Sequence, residues 1–107
     1  MRKIIAGHSK EDLINASNDI NYEIVGKEII VKDTEFTSFW ESDLVSKFYK
    51  KRGVLIDDYE TTIITSEDDL YILKETIEQS SAFKLKKNLL ELVTYAIVKK
   101  SGIIFIF

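Results

Sequence analysis

Residues 103–107 read Ile103-Ile104-Phe105-Ile106-Phe107, an unbroken run of apolar, β-prone side chains. A strand solvated on one face alternates polar with apolar residues, so this run predicts a strand covered on both faces, in the interior of a sheet. The chain is expected to end inside its own core. An interior strand needs neighbours, and working back along the sequence supplies them together with the helices that cover them.

Lys99-Lys100-Ser101-Gly102 precedes the run and suits a helix C-terminus, where basic side chains meet the negative end of the helix dipole. The helix it closes is read from Phe83 to Val98, on the spacing of Phe83, Leu85, Leu89, Leu90, Leu92, Val93, Ala96 and Ile97. Ser80-Ser81 parts it from another helix ending near Gln79. That one begins with Ser66 as a cap and Glu67, Asp68 and Asp69 in the first turn, and Leu70, Ile72, Leu73 and Ile77 form its apolar face. Tyr59–Thr65 and Val54-Leu55-Ile56 are β-rich and separated by Asp57-Asp58, as one bent strand or as two. From Thr34, the residues Phe36, Phe39, Trp40, Leu44, Val45, Phe48 and Tyr49 recur every three or four positions, which predicts one amphipathic helix closed by Gly53. Tyr22-Glu23-Ile24-Val25 and Glu28-Ile29-Ile30-Val31 around Gly26-Lys27 have the pattern of a hairpin with a tight turn. Arg2–Gly7 reads as a strand, and Ser9 with Glu11 and Asp12 opens a helix to about Asn18.

Strands interleaved with helices over short connections predict a single α+β (mixed α/β) domain over residues 1–107. The expected architecture is one central sheet of about five strands, mostly antiparallel or mixed, packed with about four helices. The 107 residues are 45% hydrophobic, with no Cys, no Pro and one His, which excludes disulfide scaffolds and Cys-ligated zinc or iron–sulfur centres. The longest apolar run is far below the roughly 20 residues of a membrane helix, and Met1–Gly7 lacks the features of a secretory signal. A cytoplasmic protein without membrane association is expected.

Charge is unevenly distributed. Residues 1–53 sum to zero, residues 54–83 to −7 and residues 84–107 to +4, within an overall −3. The acidic middle repels nucleic-acid phosphate and attracts basic surfaces. The basic end, with Lys84, Lys86, Lys87, Lys99 and Lys100, has no Arg, so nucleic-acid binding is not expected.

No residue pattern states a reaction. His8 has neither a separate nucleophile nor an orienting acid within the sequence motif, and Ser9 is better explained as a helix cap, so catalysis by His8 is the lesser reading. The Gly7-His8-Ser9 turn is a weak anion signal beside a true phosphate loop. Neither Asp57-Asp58-Tyr59-Glu60 nor Glu67-Asp68-Asp69 follows the calcium-loop pattern. The second cluster is accounted for by the dipole of the helix it opens. The first gains nothing from a dipole, and a basic macromolecular partner is the preferred reading, beside a solvated turn and, last, a metal. Trp40 and its aromatic neighbours have core spacing first and the character of a binding anchor second. No catalytic, cofactor or metal site is assigned, and the chain is read as no enzyme.

A small, cysteine-free and proline-free α/β chain with a concentrated acidic surface, running from Met1-Arg2-Lys3-Ile4-Ile5-Ala6-Gly7-His8 to Ser101-Gly102-Ile103-Ile104-Phe105-Ile106-Phe107, resembles a bacterial immunity protein of the contact-dependent growth inhibition type. Members of that group differ in fold and share no motif, so no site transfers by position. The resemblance implies one partner, a basic protein toxin domain, the C-terminal toxin fragment of a large secreted protein. The toxin is expected to be a nuclease, in particular a ribonuclease. The antitoxin role implies that an acidic surface covers the toxin's active-site cleft. Asp57, Asp58, Glu60, Glu67, Asp68 and Asp69 are the expected charge mimics, with Tyr59 and Tyr71 supplying contact area. The rival from another class is a homodimeric regulatory or structural module formed through Phe83–Val98, and a third is a small hydrolase using His8.

Overall fold

The computed structural model describes residues 2–18, 26–58 and 60–107, without the side chains of residues 16 and 17. Its elements are β1 (Arg2–Gly7), α1 (Lys10–Asn18), β2 (Gly26–Val31), α2 (Asp33–Glu41), α3 (Leu44–Arg52), β3 (Thr61–Ile64), α4 (Glu67–Gln79), α5 (Lys86–Val98) and β4 (Ile103–Ile106). The four described strands form one antiparallel sheet in the order β2-β1-β4-β3. The apolar C-terminal run is therefore interior, as its composition predicts. β4 pairs with β1 on one side, Ile4 opposite Phe105, and with β3 on the other, Ile64 opposite Ile103.

The main core lies on one face. Ile4, Ala6, Val31, Ile64, Ile103 and Phe105 meet Phe39, Leu44, Phe48, Leu70, Leu73, Ile77, Leu89, Leu92, Val93 and Ala96 from the helices. Phe39 is its aromatic hub, with ring centroids 5.8 Å from Phe83, 6.3 Å from Phe105 and 5.6 Å from Phe107. Alternation sends Ile5 and Ile104 to the opposite face, and they too are buried, as is Leu13 of α1. Both faces of the central strand pair are thus covered.

Several local expectations hold. Ser9 Oγ accepts the Asp12 N–H at 3.1 Å and Ser66 Oγ that of Asp69 at 3.4 Å, so both serines cap their helices. Gly53 adopts φ 70° and its N–H bonds to the Tyr49 carbonyl at 2.7 Å, the left-handed closure that a Cβ disfavours.

Other expectations are corrected. Thr34–Arg52 is two helices. Ser42 is extended, and both its N–H and its hydroxyl donate to the Phe39 carbonyl, ending α2. Asp43 then turns its carboxylate to the N–H and hydroxyl of Ser81, at 3.0 and 3.3 Å, and to Lys47 Nζ at 2.7 Å. The Lys47 ammonium first, and the Ser81 N–H second, lower the Asp43 carboxyl from 3.8 to about 2.

The proposed Gly26-Lys27 turn is also replaced. Both residues are in β2, paired with Gly7 and Ala6, and Tyr22–Val25 lies outside the described residues. Gly26 is needed for close approach, since a Cβ there would stand 2.0 Å from the Ala6 carbonyl oxygen. Val54–Ile56 forms no strand. It runs beside the edge strand β3 through the Thr62 hydroxyl, which contacts the Leu55 carbonyl and the Asp57 N–H at 3.5 and 3.4 Å, too long for a strong ladder. The last helix begins at Lys86, with Phe83 and Leu85 buried ahead of it. The described residues therefore hold four strands and five helices, where about five and about four were expected.

Candidate functional site

The two acidic clusters sit at opposite ends of β3. Asp57, Asp58 and Glu60 lead into Thr61, whereas Glu67, Asp68 and Asp69 form the first turn of α4 beyond Ile64. Four residues of strand span about 13 Å, so the clusters do not merge into one. Asp57 and Asp58 are half-buried, Glu60 is exposed and Tyr59 lies outside the described residues.

Within the second cluster the three acids differ. Asp69 accepts from Arg52 Nε at 2.6 Å with its side chain only 19% exposed, so it ties the end of α3 to the start of α4. Its charge is already met. Glu67 and Asp68 are exposed, and neither they nor Asp58 and Glu60 form an ion pair with a described residue.

One turn further, Tyr71 is 52% exposed. The inward face of α4 is Leu70, Leu73, Thr76 and Ile77, and this fixes what faces outward. Asp68, Tyr71, Glu75 and Glu78, at helical spacings of three and four, form an exposed ridge with a tyrosine between carboxylates. Glu75 and Glu78 were absent from the sequence-derived site. Extending the α4 outer face past Tyr71 was the signal that could have found them. The ridge is most acidic toward its N-terminal half, because Lys86 Nζ reaches the main-chain carbonyls of Glu78 and Ser80 at the far end, at 3.4 and 2.8 Å.

Other candidates are placed differently. His8 is exposed at the β1–α1 turn, and its neighbour Ser9 is engaged as a cap. Among the described residues no group of three or more His, Cys, Asp or Glu is arranged to hold a metal ion. Of the aromatic stripe assigned to the core, Phe39 and Phe48 are buried, but Trp40 and Tyr49 are exposed and Phe36 is half-buried. Phe36 lies between the Arg2 guanidinium, 3.9 Å from its ring centroid, and Trp40, stacked at 5.7 Å. The apolar residues that a dimer would need from α5, among them Leu89, Leu92, Val93 and Ala96, are buried in the chain's own core.

A depression of about 430 Å³ between α2 and the α4–α5 connection is lined by Thr37, Ser38, Ser42, Ser81 and Lys84, among others. The hydroxyls of Thr37, Ser38, Ser42 and Ser81 already serve the fold. Thr37 donates to Asp33, Ser42 to Phe39 and Ser81 to Asp43, while Ser38 accepts the Lys84 N–H. Among the described residues no helix is long and apolar enough to cross a membrane. Comparison with known proteins found no family model, no curated protein and no solved structure that matches this chain.

Proposed function

We propose that the chain is an immunity protein that binds a cognate toxin domain in the cytoplasm and neutralises it. The toxin is a basic nuclease, in particular a ribonuclease, and the acidic surface covers its active-site cleft. The observation that supports this reading is the outward face of α4. Exposed carboxylates Glu67, Asp68, Glu75 and Glu78 flank the half-exposed ring of Tyr71 on a helix whose other face is anchored in the core. A nuclease cleft presents Lys, Arg and His to phosphate. Carboxylates at helical spacing on a core-anchored helix offer the complementary charge, and a tyrosine among them supplies contact area with few rotatable bonds. The acids of residues 57–60 extend the negative field beyond the other end of β3 and contribute to steering.

The test is association kinetics with the toxin fragment encoded immediately upstream. Asp68→Lys with Glu75→Lys is expected to slow association about tenfold or more at low salt, with a smaller effect at high salt, while the urea midpoint falls only by the helix-dipole contribution of Asp68, about 1 kcal/mol. Reversing Asp57 and Asp58 to Lys tests the second acidic segment in the same way. Unchanged association by the α4 variant would remove the ridge from the interface.

A further inference from the structure

Beyond meeting the negative end of the α5 dipole, the basic end of the chain has no part in the acidic surface, and the structure divides its lysines. Lys86 closes the end of α4. Lys99 and Lys100 stand at the other end of the 13-residue α5, about 20 Å away, where Lys27 joins them from β2. Lys27 Nζ lies 5.1 Å and Lys99 Nζ 5.8 Å from the centroid of the same ring, Tyr95. Each ammonium is attracted to the ring, but the two repel one another. None of Lys27, Lys99 and Lys100 forms an ion pair with a described residue. Lys100 also holds φ 52°, just past the cap of α5, where glycine is the favoured residue. The α5 dipole disfavours an anion at this end, so the lysines must outweigh it, and its last carbonyls are not left bare. Those of Tyr95, Ala96 and Ile97 already accept the N–H groups of Lys99, Ser101 and Lys100.

We propose that Lys27 and Lys99, which share the Tyr95 ring where β2 meets the C-terminus of α5, bind a multiply charged phosphate ligand together with Lys100, the next residue along the chain. Three ammonium groups without ion-pair partners among the described residues suit a ligand with several anionic oxygens. A single carboxylate would balance only one of them. The site shares no residue with the α4 ridge, and its test does not depend on the inhibitor reading.

The experiment is amide chemical-shift titration of the whole chain with sodium tripolyphosphate at constant ionic strength. Shifts at Lys27, Tyr95, Lys99 and Lys100 are expected to follow one saturable curve. Lys27→Gln with Lys99→Gln is expected to weaken binding about tenfold or more, and the control pair Lys84→Gln with Lys87→Gln to leave it unchanged. A parallel titration with a short single-stranded RNA separates the sources. Saturation at lower concentration than tripolyphosphate assigns a phosphodiester backbone, and the reverse assigns a free polyphosphate. Linear, unsaturated shifts, or equal weakening by the control pair, would overturn the site. The spectra of the variants show directly whether each retains the fold.

Discussion

Ser101 joins three elements through one fully buried side chain. Its hydroxyl donates to the Gly7 carbonyl at 2.6 Å, its N–H donates to the Ala96 carbonyl at 2.9 Å, and the adjacent Gly102 carbonyl accepts the Gly7 N–H at 3.2 Å. The ends of β1 and α5 and the start of β4 are thus held at one point. Ser101→Ala removes a single oxygen and leaves almost no cavity, so the cost is the bond itself and the buried carbonyl left without that donor. Such a loss is about 1–3 kcal/mol. For a domain of this size it corresponds to a fall in Tm of roughly 5–20 °C. Urea unfolding monitored by circular dichroism reads it as a lower midpoint at constant m-value. Ser46→Ala is the control. That hydroxyl donates within its own exposed helix to the Asp43 carbonyl, and its loss is expected to change stability by less than about 0.5 kcal/mol. If Ser101→Ala matched the control, the argument that this junction is held by the hydroxyl would be refuted.

Three further outcomes follow from particular residues. The Asp43 carboxyl lies below its unfolded value, so the folded state gains from its ionisation above about pH 4, and that gain is lost as pH falls from 3.8 to about 2. Asp43→Asn is expected to flatten this part of an acid-unfolding profile, and an unchanged profile would contradict the Lys47 and Ser81 contacts as its source. Lys100→Gly relieves a left-handed backbone and is expected to stabilise the fold by about 1 kcal/mol in urea unfolding, a gain opposite in sign to most substitutions. Gly53→Ala places a Cβ on the same kind of backbone at the end of α3 and is expected to destabilise by about 1 kcal/mol, although nothing within 4 Å obstructs that Cβ.

Elements with strong local signals were legible in the sequence. Ser66 with three following acids marks α4, Gly53 closes α3, and Ile103–Phe107 supplies the interior strand, because caps, left-handed glycine and unbroken apolar runs are local chemistry. What was not legible depends on tertiary partners. The break at Ser42-Asp43 interrupts an otherwise continuous helical period, and Asp43 turns out of it toward Ser81, 38 residues away. Val54–Ile56 has strand composition, yet a threonine hydroxyl from β3 occupies the place where a backbone ladder would form. Gly26 resembles a turn residue and is instead a strand residue paired with Gly7, where a Cβ would collide with the Ala6 carbonyl. The candidate surface divides the same way. Run-length reading grouped Asp69 with Glu67 and Asp68, while Arg52 approaches it from another helix and removes it from the free acids. It missed Glu75 and Glu78, whose relation to Tyr71 is helical rather than sequential.

The central claim is that this chain captures a basic toxin domain through the acidic face of α4. The most direct measurement is a pull-down of the tagged protein from cells making the upstream toxin fragment, eluted stepwise with salt, beside the Asp68→Lys, Glu75→Lys variant. The expected result is a stoichiometric basic partner retained by the parent chain at low salt, released as salt rises, and lost from the variant at lower salt. A folded parent chain that retains no such fragment at low salt would contradict the claim.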